Sequence, residues 1–173
     1  MSETIKLIKS DIKRKKQIFL DDGADYSSLR MLLTDGSSAN IIYRLAYRFA
    51  QSKVLYPFAI LLSHFNRIYN GCVIGVNAKF GRGFVIMHPI GVVINSKVSG
   101  GENITLESGV VIGDEKGKSP LLHDNIFFGA GAKAFGKISV GNNVKIGANA
   151  VVVKDIPPNS TALGIPATIK QNK

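Results

Sequence analysis

From Ile74 to Val152 every sixth position is apolar except one. The series runs Ile74, Phe80, Ile86, Val92, Val98, Ile104, Val110, Lys116, Leu122, Phe128, Ala134, Val140, Ile146, Val152. The exception, Lys116, lies in the polar stretch 114–119. Glycine follows the apolar position at Gly75, Gly81, Gly129, Gly141 and Gly147. A period of six belongs neither to an α-helix, at about 3.6, nor to an isolated strand, at about 2. It requires a chain that turns after each short strand, so that one inward side chain recurs per face. That is a parallel β-helix of hexapeptides, whose coils bury their interior by stacking on one another.

Three faces of six make a coil of about eighteen residues, so positions eighteen apart are expected to stack. Ala130 then lies over Ala148 and Gly129 over Gly147, and eighteen before them come Val111, Ile112 and, next, Gly113. Small residues along one edge leave a groove in which an extended ligand can lie against the backbone, although hexapeptide turns favour glycine and alanine in any case. From Val110 to Leu122 is two whole repeats, so the series keeps its phase across the interruption. The segment at about 113–120 reads as a protruding loop, the kind of element that carries function on a rigid scaffold.

Residues 1–70 have a different character and read as a small helical region preceding the β-helix of residues 71–173, an α+β arrangement. Ser38 and Asn40 are candidate N-caps for a helix with an apolar stripe through Ile41, Ile42, Leu45, Ala46 and Phe49, leaving Arg44 and Arg48 on another face. A second helix follows Pro57, from Phe58 to about Tyr69. The first sixteen residues are compatible with a basic amphipathic helix through Ile5, Leu7, Ile8 and Ile12, or with a solvated tail. Pro157-Pro158 ends the last coil, and the tail 164–169 folds back or pairs along an edge.

Composition narrows the function. The net charge is +10 and is unevenly spread, with +4 in residues 1–16 and +4 in residues 40–70. It favours phosphate-bearing ligands, acidic glycans or an anionic membrane surface over nucleic acid, for which there is no recognition motif. The single cysteine, Cys72, excludes an intramolecular disulfide, and no metal-binding cluster is present. The charged start and the short apolar stretch 54–62 point to a cytoplasmic protein, with peripheral contact at the inner face of the membrane left open.

Of the three histidines, His64 lies among apolar helical residues and His123 at the base of the loop. His88 falls two residues after inward Ile86 and is followed by Pro89, which places it near a corner, where a neutral imidazole can act as general base toward a hydroxyl. Here the residues resemble a known family. Gly81-Arg82-Gly83, His88, Gly91-Val92-Val93-Ile94, Gly129-Ala130-Gly131-Ala132-Lys133, Gly136-Lys137-Ile138, Lys145-Ile146-Gly147-Ala148 and Gly164-Ile165-Pro166-Ala167 look like the serine acetyltransferase family. The match covers about residues 71–170. It implies a left-handed β-helix, a homotrimer, acetyl-CoA as donor, His88 as catalytic base and a CoA arm running beside Gly113, Ala130 and Ala148.

The departures concern the acceptor. The family's aspartate that holds the serine amine falls at Met87, and its arginine–histidine pair falls at Lys118 and Ser119. The aspartate that orients the histidine falls at Val73. For that last role the candidates are Asn70 or Glu107 of the same chain, or Asp114 or Glu115 of a neighbouring subunit. An amine facing methionine loses its partner, and Lys118 replaces the arginine's charge without its fork. The expectation is therefore a CoA-dependent O-acetyltransferase of the family's polysaccharide-modifying branch, acting on a sugar hydroxyl, with a backbone N–H near Gly113 holding the oxyanion. Two alternatives stay open. One is L-serine acetylation with a rebuilt acceptor site using Asp35, which otherwise belongs to the turn Thr34-Asp35-Gly36. The other is a non-catalytic trimeric scaffold.

Overall fold

The computed structural model describes residues 3–172. Four helices come first: α1 (Glu3–Asp21), α2 (Ser28–Leu32), α3 (Ser37–Ala50) and α4 (Tyr56–Asn70). Strands of two to four residues then wind into a left-handed parallel β-helix with three sheets as its faces. The first sheet holds Val73–Ile74, Val93–Ile94, Val111–Gly113, Lys133–Phe135 and Val151–Val152. The second holds Lys79–Phe80, Ser99–Gly100, Leu121–Leu122 and Ser139–Val140. The third holds Val85–Ile86, Thr105–Leu106, Phe127–Phe128, Lys145–Ile146 and Ser160–Leu163, onto which Thr168–Gln171 folds antiparallel.

Every apolar member of the six-residue series is buried. The coils, however, are unequal. Ile74 pairs with Ile94, Ile94 with Ile112, Ile112 with Ala134 and Ala134 with Val152, giving coils of 20, 18, 22 and 18 residues. Two extra residues enter between Ile86 and Ile94, and four between Ile112 and Leu122. Together they amount to one hexapeptide, which is why the series resumes in step at Leu122. Between the insertions, Val92, Val98, Ile104 and Val110 stand two places before the paired residues Ile94, Gly100, Leu106 and Ile112. They are buried because each face has a second inward position two residues earlier, occupied elsewhere by Cys72, Ala78, Phe84, Ile126, Ala132 and Val144. The apparent continuity across Lys116 is thus two shifts that cancel.

The helices close the open end of the solenoid. Its first coil has no coil above it, so its backbone groups need other partners. Asn40 supplies both halves of its amide, donating to the carbonyl of Phe84 and accepting from Ile86 N at 3.0 Å. Tyr43 Oη donates to Ala78 O (2.8 Å), and Arg44 donates to Phe80 O (2.7 Å) and Gly81 O (2.6 Å). Asp11 accepts from Phe84 N (3.0 Å) and holds the Arg44 guanidinium through both carboxylate oxygens, at 2.8 and 3.0 Å.

This capping adds a polar buried side to the expected apolar stripe, of which Ala46 is buried and Phe49 packs against it. Gly36, not Ser38 or Asn40, is the N-cap of α3. The buried side of α3 is Ala39, Asn40, Tyr43, Arg44 and Ala46, while Leu45 is exposed. In α1 the buried residues are Thr4, Asp11 and Lys15, and Ile5 faces outward. Polar side chains point inward because the surface they cover is a row of peptide groups rather than hydrocarbon. Among the described residues no helix is long and apolar enough to cross a membrane.

Candidate active site

The two-residue insertion after Ile86 forms the corner Met87-His88-Pro89-Ile90-Gly91, leading from the third sheet to the first. Gly91 adopts φ 76° and its N–H donates to Gly71 O (2.9 Å), while Val92 N closes the turn onto Pro89 O (3.1 Å). The extra length lifts His88 off the coil. It is held by the turn between α2 and α3, where Asp35 Oδ2 lies 3.0 Å from His88 Nδ1, both side chains being more than half exposed.

The Asp35 turn is itself fixed. Gly36, at φ 77°, packs against the carbonyls of Ile86 and Met87. Lys15 Nζ donates to the carbonyl of Asp35, to Ile86 O (3.2 Å) and to Ser37 Oγ (3.3 Å). Burial pushes the Lys15 ammonium down to about 8, a shift opposed by the charges of Asp35 and Glu107. One ammonium therefore ties the segment carrying Asp35 to the strand that leads into His88.

With Nδ1–H donated to the carboxylate, His88 presents Nε2 outward as a proton acceptor. Asp35, placed by the sequence reading as an acceptor ligand or turn residue, is the carboxylate beside the imidazole. Of the two candidates for orientation within the same chain, Glu107 lies one coil below the corner and Asn70 is engaged elsewhere, while Asp114 and Glu115, expected from a second subunit, have partners of their own. Asn70 is occupied by Asn66 and Ser38. Asp114 accepts from Gly117 N (2.8 Å) and faces Lys97 at 3.5 Å. Glu115 closes a tight hairpin with Lys118 through two backbone bonds.

Below His88 the third-sheet register, Ile86–Leu106–Phe128–Ile146, puts Ser108, Ala130 and Ala148 in one column along the same corner. Ala130 and Ala148 do stack, and Asn149 N donates to Ala130 O (2.8 Å). Gly113 is not in this column. The coil there is 22 residues long, so Ser108 stands above Ala130 and Gly113 pairs with Phe135 in the first sheet. Gly113, Lys118 and Ser119 belong to the corner between the first and second sheets, and within one chain they do not meet His88. Met87 does adjoin it, and so does Glu107, one coil below Met87. Both line a cavity of about 600 Å³ between α1 and the third sheet. His64 and His123 are engaged at Ile60 O and Ser139 Oγ, away from this corner. Among the described residues no cluster of His, Cys, Asp and Glu could hold a metal ion.

No protein-family model matches the chain. The serine acetyltransferase of Bacillus pumilus is 39% identical over 169 residues, covering 95% of this chain and 76% of that protein. A serine acetyltransferase solved in complex with CoA superposes with a TM-score of 0.87 at 28% identity, over 96% of this chain and 69% of that one. The soybean serine acetyltransferase complexed with serine gives a TM-score of 0.87 at 27% identity over the same shares. These relatives overturn the expected polysaccharide-modifying branch. That expectation rested on Met87, Val73 and Ser119 standing where the family has polar groups, and those replacements do not by themselves identify a different acceptor. The chain is an acetyltransferase with acetyl-CoA as donor, and it belongs to the serine acetyltransferase family.

Proposed function

We propose that this protein transfers the acetyl group of acetyl-CoA to the hydroxyl of L-serine, with His88 as the general base. The observation that carries the reading is the His88–Asp35 pair at the head of the Ala130–Ala148 column. His88 Nε2 takes the hydroxyl proton as the serine oxygen attacks the thioester carbonyl. The tetrahedral intermediate collapses with loss of the CoA thiolate, which recovers the proton from the imidazolium. Asp35 fixes the tautomer and faces the positive charge that forms on the ring. The CoA arm lies along Ala130 and Ala148, where exposed small side chains let it approach the backbone.

Gly113 and Lys118 reach the reaction from a second copy in a homotrimer. Exposed apolar side chains support such packing: Val73 and Val93 on the first sheet, and Phe58, Leu61, Phe65 and Ile68 on α4. In that assembly a backbone N–H near Gly113 is the candidate donor to the oxyanion.

The test is thiol release from acetyl-CoA with L-serine as acceptor, for the wild type and His88→Ala. Removal of the base is expected to lower turnover by about 10²- to 10⁴-fold with CoA binding kept. Full turnover by a folded His88→Ala variant would remove His88 from the mechanism. No turnover of L-serine by the wild type would overturn the acceptor.

A further inference from the structure

The cavity beside Met87 is lined by four charged side chains, Arg14, Asp22, Glu107 and Lys145, none of them hydrogen-bonded by the described residues. The third sheet forms its floor through Thr105 and Phe127, and α1 forms its roof through Arg14 and Ile18. Glu107 follows Leu106 as Met87 follows Ile86, and Met87 N bonds Leu106 O at 2.9 Å. The Glu107 carboxylate is thus one coil below Met87, roughly 4.8 Å along the axis. Among the described residues it has no hydrogen bond or ion pair, and it is near enough to Lys15 to affect its protonation. Opposite, Arg14 Nε is shielded from solvent and has no acceptor. Nε is closed off by the protein itself, so a carboxylate in the cavity meets this guanidinium at its two Nη groups, which have no partner among the described residues and can pair with both carboxylate oxygens.

We infer that this end of the cavity is the acceptor subsite, with Glu107 receiving the α-ammonium of the amino acid and Arg14 its carboxylate. The inference rests on the serine reading above and names the residues that recognise that acceptor. One carboxylate oxygen of Asp35 already holds His88 Nδ1. Met87 offers no charge, but the carboxylate missing at position 87 is present one coil away. The far end of the cavity, at Asn143 and Lys145, is two coils below Glu107, on the order of 10 Å away. That is beyond the reach of an amino acid whose hydroxyl is at His88.

The experiment is steady-state thiol release by the wild type, Glu107→Gln and Arg14→Met, each confirmed as folded by thermal melting. The acceptors are L-serine, 3-hydroxypropanoate, which lacks the amine, and ethanolamine, which lacks the carboxylate. Each analogue serves as substrate or as competitive inhibitor. Loss of a charged hydrogen bond is expected to raise KM for L-serine about 10- to 100-fold, leaving KM for acetyl-CoA unchanged. Glu107→Gln should not alter the affinity for 3-hydroxypropanoate, nor Arg14→Met that for ethanolamine. Should either variant fail to fold, Glu107→Asp and Arg14→Lys give the same comparison with the charge displaced. Unchanged KM for L-serine in folded variants of an active enzyme overturns the subsite and leaves the serine reading standing. A wild type that binds CoA but does not acetylate L-serine overturns both.

Discussion

Gly36 lies directly against the backbone of Ile86, closer than any side chain at position 36 would permit. The contact brings the α2–α3 turn onto the strand that runs into the His88 corner, and Asp35 is the residue just before it. Gly36 also adopts φ 77°, a left-handed conformation that costs other residues about 1–2 kcal/mol. Gly36→Ala is therefore expected to destabilise the protein by about 2 kcal/mol or more, measured by urea denaturation. It should also lower turnover in the fraction that stays folded, because the methyl group pushes Asp35 away from His88. A variant with unchanged stability and turnover would show that this close approach is dispensable.

Asp35→Asn keeps the shape of the turn and removes the charge. Both partners are substantially exposed, so the carboxylate does less than in a sealed site, and the expected loss in kcat is about 10- to 100-fold. KM for acetyl-CoA should not change, since the column that receives it is built from Ala130 and Ala148. If kcat is retained, His88 is oriented by some other group.

Lys15 gives the fold a pH dependence of known sign. Its folded-state value of about 8 lies below the ordinary lysine value of 10.5, with burial as the chief cause. Between these limits the unfolded chain binds more protons than the folded one, so stability rises as pH increases from about 8 toward 10.5. The penalty relieved is about 3 kcal/mol at most. Lys15→Met should abolish this rise in denaturation curves collected across the window. It should also slow catalysis, because the three bonds that hold Asp35 and Ile86 together are removed.

The β-helix was legible because a solenoid repeats its burial pattern in sequence, and one inward residue in six needs no tertiary knowledge to recognise. The unequal coils were not legible. Insertions of two and four residues sum to a repeat, and a second inward position on each face kept the apolar series intact across both. Those insertions nevertheless mark the two corners that interrupt the solenoid, the one bearing His88 and the one bearing Lys118. The helices themselves were legible, but the burial of their polar residues was not, for a physical reason. Hydrophobic periodicity assumes that the buried face meets hydrocarbon, whereas Asp11, Lys15, Asn40 and Arg44 meet the bare peptide groups of the first coil. Asp35 resembled a turn residue because it is one. What brings it to His88 is the packing of Gly36 and the bonds from Lys15, and neither leaves a local signal.

The Asp11–Arg44 pair is the centre of that cap. Burial drives the Asp11 carboxyl up, against the opposing effect of Arg44, Phe84 N and Asn40. Removing one member leaves the other charged and desolvated, so Arg44→Met is expected to cost about 3–5 kcal/mol. Arg44→Lys should recover little of this, because one ammonium cannot bond two carboxylate oxygens together with the carbonyls of Phe80 and Gly81. Near-wild-type stability of Arg44→Met would mean that the first coil tolerates losing its cap.

Ala148 separates donor binding from acceptor chemistry. It stands on the outer corner two coils below Ser108 and three below His88, and its side chain is exposed, so a larger residue there does not disturb the core. If the CoA arm lies along this edge, Ala148→Leu places three carbon atoms in its path without touching the His88–Asp35 pair. The expected result is a rise in KM for acetyl-CoA of about tenfold or more, equivalent to at least about 1.4 kcal/mol of lost binding. KM for L-serine and the melting temperature should stay as in the wild type. Loss of acetyl-CoA affinity alone assigns the column to the donor. If instead KM for L-serine rises while acetyl-CoA binds normally, the column belongs to the acceptor, and the donor must approach His88 from another side of the corner.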